Sequence, residues 1–185
     1  MILLIAIFIV YFRIFSAGFV LLDDDFQVYA NPFLNPPTLQ SVARFWQHAY
    51  EQLYVPLAYT ILAAIASFAG VPQHFDSSLG HAVSLNPAAF HVASVALHFA
   101  NTWLCFRLIR LLTGRARTAL LCSLVFALHP LQMESVAWAS ELRGLASGVF
   151  GLLAPNAFVL YRRAADRARS RTLLLRPRRR RSRTP

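Results

Sequence analysis

Residues 1–22, 89–112, 116–133 and 143–161 are almost free of charge, and each is long enough to cross the ~30 Å hydrocarbon core of a bilayer as a helix. No other feature constrains the fold as strongly. The chain has 185 residues, 57% of them hydrophobic, and a mean hydropathy of +0.48, whereas soluble domains run at roughly 45–50% apolar even with glycine counted. The expected fold class is therefore an all-α membrane protein with about four spans. Met1–Leu22 is too long for the apolar core of a signal peptide and has no small-residue cleavage site before Asp23, so it reads as a retained first span. Cys105 and Cys122 lie inside apolar runs, without zinc spacing or a disulfide framework, and read as buried unpaired thiols.

The distribution of charge sets the topology. The formal charge is +10, yet residues 1–161 hold seven Arg and seven acidic residues and balance to zero. The excess lies in residues 162–185, with eleven Arg against Asp166 alone. This stretch, low in complexity from Leu173, reads as a disordered tail. Basic residues accumulate in cytoplasmic loops. If Leu53–Gly70 does not cross and the N-terminus is cytoplasmic, Arg107, Arg110, Arg115, Arg117 and the tail all fall inside. Asp23, Asp24, Asp25, Glu51, Asp76, Glu134 and Glu141 then all fall outside. Residues 23–88 become one long external loop. Within it Leu39, Val42, Trp46, Tyr50 and Leu53 recur at the helical period, which predicts an amphipathic helix at the membrane–water boundary. Gly70–Pro87 reads as a connector.

Three polar features stand out. Asp23-Asp24-Asp25 follows the first span directly. It serves either as a solvated charged cap or as a base or metal-binding pair at the outer face. Beyond the third span, His129-Pro130 and Glu134 sit on the same side, so Asp24 and Glu134 can hold a divalent cation such as Mg or Mn through oxygen ligands. In the second span His91, Ser94, His98 and Asn101 share one helical face, as groups that bond to neighbouring helices or line a cavity.

These motifs, in order, resemble a known family. Phe19-Val20-Leu21-Leu22-Asp23-Asp24-Asp25 with Asn31-Pro32, then Trp46 and Tyr54-Val55-Pro56-Leu57, begin the match. It continues through Asn86-Pro87-Ala88-Ala89-Phe90-His91, Leu97-His98-Phe99-Ala100-Asn101 and Ala127-Leu128-His129-Pro130-Leu131-Gln132-Met133-Glu134-Ser135-Val136-Ala137-Trp138. Residues 15–161 thus resemble the GT-C membrane glycosyltransferases, in particular the branch of tetratricopeptide-containing, O-mannosyltransferase-like membrane proteins. The resemblance implies a polyprenyl-phosphate sugar donor and a hydroxyl-bearing acceptor at the external face. It implies Asp23, Asp24 and Glu134 as catalytic positions. His91, His98, Asn101 and His129 match recurrent polar positions, and Arg143 is placed to stabilise the leaving phosphate. Membrane lipids are the implied surroundings, a bacterial inner membrane the implied location, and both the N-terminus and the tail are cytoplasmic.

Members of that family carry more spans and a repeat array, and the likeness stops at Arg162. The chain accordingly reads as the front part of such a module, inactive when isolated. A competing reading is a non-enzymatic small membrane protein whose Arg tail binds anionic lipid at about 1 kcal/mol per residue. Specific nucleic-acid recognition is not expected, because no aromatic interleaving or reading fold accompanies the Arg runs.

Overall fold

The computed structural model describes residues 1–21, 23–76 and 81–174. It is mainly helical. Helix α1 (Ile2–Tyr11) tightens into a 3-10 turn at Phe12–Ser16, and a π-helical turn follows at Asp25–Tyr29. Helices α2 (Leu39–Gln47) and α3 (Pro56–Ala69) precede a hairpin of β1 (Gly70–Asp76) and β2 (His81–Leu85). The remainder is α4 (Pro87–Thr113), α5 (Ala116–Leu128), α6 (Gln132–Ala137) and α7 (Leu142–Leu174).

Local chemistry fixes the ends. Thr38 and Ser41 form a reciprocal capping box at the start of α2, each hydroxyl accepting the other's backbone N–H. Pro56 opens α3 and Pro87 opens α4, where proline's fixed φ and missing N–H do no harm. The Asn86 side chain accepts the Ala88 N–H at 3.0 Å. Gly114, at φ 70°, closes α4 in the left-handed conformation. His129-Pro130 ends α5, because the residue before proline is biased away from the helical region.

Two helices, Pro87–Thr113 and Leu142–Arg167, are long and apolar enough to cross a membrane. The other two expected spans are shorter. Ile2–Ser16 and Ala116–Leu128 fall short, the 13 residues of α5 reaching only about 20 Å. The first is cut where the chain leaves the helix after Ser16, and the second by the His129-Pro130 stop. Helix α7 passes through Pro155 and runs on to Leu174, so the Arg-rich stretch expected to be disordered begins as helix. Residues 175–185 lie outside the described residues.

Beside its apolar core the bundle buries a set of polar side chains, and it leaves many apolar ones exposed. His91, Ser94, His98, Asn101, Thr102, Ser123 and Asn156 are buried between helices, while Ile2, Phe8 and Ile9 of α1, Leu121 and Val125 of α5, and Phe150 and Phe158 of α7 are exposed. Such an arrangement is stable where the surroundings are hydrocarbon. Cys122 lies on that exposed side of α5 and Cys105 is half-buried, so the two thiols are free but not both buried as expected.

The all-helical expectation needs one correction. Residues 70–85, expected to be a connector, contain an antiparallel hairpin pairing His74 with Val83 and Phe75 with Ala82. Its underside and helix α3 cover an apolar core of Phe19, Val28, Leu34, Phe45, Tyr59, Leu62 and Phe90. A smaller cluster of Ile7, Tyr11, Ile14, Ala127, Val136 and Leu145 lies between α1, α5 and the start of α7.

Candidate functional site

The acidic triplet divides into three different environments. Asp24 is 1% exposed, and its carboxylate accepts three backbone N–H groups: Val20 at 3.1 Å, Ser140 at 2.8 Å and Ala139 at 3.4 Å. It ties the exit of the first helix to the segment that leads into α7, more than a hundred residues away. The Asp25 carboxylate accepts the N–H of Phe26 at 2.6 Å. Asp23 is half-buried and makes no hydrogen bond or ion pair among the described residues, so its oxygens remain available.

Just beyond Ser140, Arg143 and Glu141 form an ion pair at 2.9 Å. Gly144 leaves room for it: a Cβ at this position would stand 3.1 Å from Glu141 Oε2. The guanidinium borders a cavity of about 190 Å3 with Val55, Pro56, Leu57, Ala146, Ser147 and Phe150. One cation thus stands beside mainly apolar walls between the starts of α3 and α7.

A larger cleft, about 750 Å3, opens under the hairpin. Its polar lining comes from Tyr29, Asn35, Ser67, Gln73 and Ser84, and among the described residues no charged side chain lines it. Asn35 builds this wall. Its amide donates to the carbonyls of Val28, Tyr29 and Asn31, and its Oδ1 accepts from Ser84 of β2. Burial raises the Tyr29 phenol above its usual range, helped by the negative charges of Asp25, Asp24 and Asp76.

An aromatic cluster joins α2 to α3. Tyr59 stacks on Phe45 at 4.4 Å, and Tyr50 and Phe33 meet Phe45 edge-on at 5.9 Å. Burial pushes the Tyr59 phenol up to about 12, with Tyr50 and Glu51 adding to the shift and Arg143 opposing it.

The polar stripe of α4 is engaged between helices. His91 Nε2 lies 3.3 Å from the Gly18 carbonyl and His98 Nε2 lies 3.0 Å from that of Ala127. Carbonyls only accept, so both rings carry the proton on Nε2. Asn101 donates to the Leu145 carbonyl at 2.9 Å, and Asn156 donates to Leu104 at 3.1 Å. Tyr11 donates to the Ala127 carbonyl at 3.2 Å and meets His98 edge-on. These side chains are sealed from both cavities' linings. His129 is exposed, with its Nδ1 accepting the Leu131 N–H, and Glu134 is exposed on α6.

A divalent cation on Asp24 and Glu134 does not fit this arrangement. Three N–H groups already occupy the Asp24 oxygens, and among the described residues no three His, Cys, Asp or Glu side chains gather round a point. Sequence reasoning also missed Asn35, Ser140 and the aromatic cluster. The run of Phe33, Phe45, Tyr50 and Tyr59 in one loop was the available signal for the last.

The chain is similar in part to protein O-mannosyl-transferases. It is 37% identical over 79 residues to protein O-mannosyl-transferase Tmtc1 of Drosophila melanogaster, covering 43% of this chain and 9% of that protein. It is 36% identical over 76 residues to protein O-mannosyl-transferase TMTC2 of Mus musculus, covering 40% and 9%. The chain therefore matches less than a tenth of the length of these relatives. No family model matches it, and no solved structure does.

Proposed function

We propose that this chain forms the outer-face part of a GT-C-type glycosyltransferase module that uses a polyprenyl-phosphate sugar and a hydroxyl acceptor. The observation that carries this reading is the junction at Asp24, which draws the first external loop and the Glu141–Arg143 segment together at one end of the bundle. The partial similarity to O-mannosyl-transferases supports it. In this reading four helices span, the shorter two within a locally thinned bilayer, and the N-terminus is cytoplasmic.

Each residue then has a task. Arg143 receives the donor phosphate, while the polyprenyl chain follows Phe150 along the outer face of α7. The uncharged cleft beside Asn35 and Ser84 suits a neutral hydroxyl acceptor and repels no part of it. Asp23 is the base: its free carboxylate takes the hydroxyl proton as the acceptor oxygen attacks the anomeric carbon. The bond from that carbon to the phosphate oxygen breaks, and the phosphate leaves with the electron pair, stabilised by the guanidinium. Asp24 positions the two loops. His91, His98 and Asn101 hold the helices behind them, and His129 and Glu134 complete the second loop.

The cavity at Arg143 holds a phosphate and little more, so the isolated chain is expected to bind donor without turnover. A photoreactive polyprenyl phosphate, added to the chain in nanodiscs, should label the Ser147–Phe150 segment saturably. Arg143→Ala should weaken labelling by about tenfold or more. Labelling that ignores Arg143→Ala, or sugar transfer by the isolated chain, contradicts the assignment.

A further inference from the structure

Helix α2 carries a second cationic cavity that the transfer reaction leaves unused. A cleft of about 380 Å3 is lined by Phe33, Thr38, Gln40, Ser41, Arg44, Gln47 and His48. Positions 40, 44 and 47 fall on one flank of the helix, since they repeat at spacings of four and three, and His48 follows directly after its end. The Arg44 guanidinium is held over the Phe33 ring, 4.8 Å from its centroid, so its direction is set by packing. Among the described residues Arg44 makes no ion pair and no carboxylate lines the cleft. The Thr38 and Ser41 hydroxyls are 2.6 Å apart and occupied with the helix cap. The groups left to meet a ligand are therefore the guanidinium, the two glutamine amides and the imidazole.

That set is rich in donors and carries a charge with nothing to neutralise it. We propose that the Arg44 cleft is a binding site for a phosphate group. A planar guanidinium pairs two N–H groups with two phosphate oxygens, and the flanking amides can donate to a third. The other flank of α2 suits a position at headgroup depth, because Leu39 is 91% exposed and Trp46 52% exposed. Trp46 still donates its indole N–H to Thr60 at 3.0 Å, which fixes α2 against α3 and holds the cleft open at one angle. The same chemistry is offered by the headgroup of an anionic phospholipid and by a soluble phosphate. This site is independent of the transfer reaction proposed above.

The test uses the full chain in dodecyl maltoside micelles, which contain no phosphate. Inorganic phosphate and short-chain phosphatidylglycerol are titrated separately by calorimetry. Saturable binding is expected, weakened about tenfold or more in Arg44→Gln. Because Arg44→Gln also disturbs the Phe33 contact, Gln47→Glu provides a second variant. It places a negative charge in the cleft without touching that stack, and should weaken binding likewise. All titrations are run in an Arg143→Ala background, which removes the other proposed phosphate site, so that the binding read belongs to the Arg44 cleft. Binding of both probes assigns the site to the phosphate group itself. Binding of phosphatidylglycerol alone assigns it to a lipid headgroup, and binding of inorganic phosphate alone to a soluble phosphate. Affinities that do not change in Arg44→Gln and Gln47→Glu, or no saturable binding of either probe to the folded chain, overturn the proposal.

Discussion

Adjacent aspartates take different work because burial, not sequence, sorts them. Asp24 satisfies three backbone donors with one side chain, and removing it leaves all three unpaired in a buried place. Asp24→Ala should therefore lower stability by about 3 kcal/mol or more, whereas Asp23→Asn should change it by less than about 0.5 kcal/mol. Thermal unfolding in nanodiscs, followed by tryptophan fluorescence, compares the two directly. Equal and small effects would mean that the junction contributes nothing. The triplet stands out in the sequence as a charged cluster at the end of the first apolar run. Which carboxylate is buried was not legible there, because the deciding partner, Ser140, is 116 positions along the chain. The α4 stripe was legible as one face, and its partners Gly18, Ala127 and Leu145 come from three other segments that periodicity cannot reach.

At the level of elements, α2 turns apolar side chains outward, as a helix at the membrane–water boundary would. Leu39, Val42 and Trp46 marked a helix, and Ser41 and Phe45 turn towards the core while Leu39 and Trp46 face out. In water the apolar stripe would face inward; beside lipid the rule fails. The helix also stops at Gln47, and Tyr50 reaches the aromatic cluster through a turn with Glu51 and Gln52 at positive φ. That cluster makes a pH prediction. The Tyr59 phenol titrates at about 12 in the fold and near 10 when unfolded. A raised pKa favours the neutral phenol in the folded state, so its contribution is intact below pH 10 and fades between about 10 and 12. Absorbance titration of wild type against Tyr59→Phe should show the late phenol missing from the variant; a titration near 10 in the folded protein would refute the burial argument. The α4–α7 seam makes another prediction. A Cβ on Gly148 would stand 3.0 Å from both terminal atoms of Asn101, whereas one on Gly151 meets open space. Gly148→Ala should cost about 1–3 kcal/mol, and Gly151→Ala should be neutral or stabilising by up to about 1 kcal/mol. Unfolding in a mixed-detergent titration separates them, and the reverse order would mean that the helices do not meet there.

For the whole molecule, the apolar runs predicted a helical membrane protein; the fold is mainly helical, and two helices are long and apolar enough to cross a membrane. Run length overestimated the other two because hydropathy does not register the turn after Ser16 or the proline stop after α5. The charges divide between the two ends of the bundle. Arg163 donates to the Leu111 carbonyl, joining the basic part of α7 to the end of α4, where Arg110, Arg115 and Arg117 are exposed. The Asp24 junction, both cavities of the proposed transfer site and the Arg44 cleft belong to the other end. In the proposed reading these two ends lie on opposite sides of a membrane. Single cysteines at Glu51, His129 and Thr113, in a chain lacking Cys105 and Cys122, test it with an impermeant maleimide on sealed vesicles. Glu51→Cys and His129→Cys should react from one side and Thr113→Cys only from the other. Reaction of Thr113→Cys and Glu51→Cys from the same side would contradict that reading.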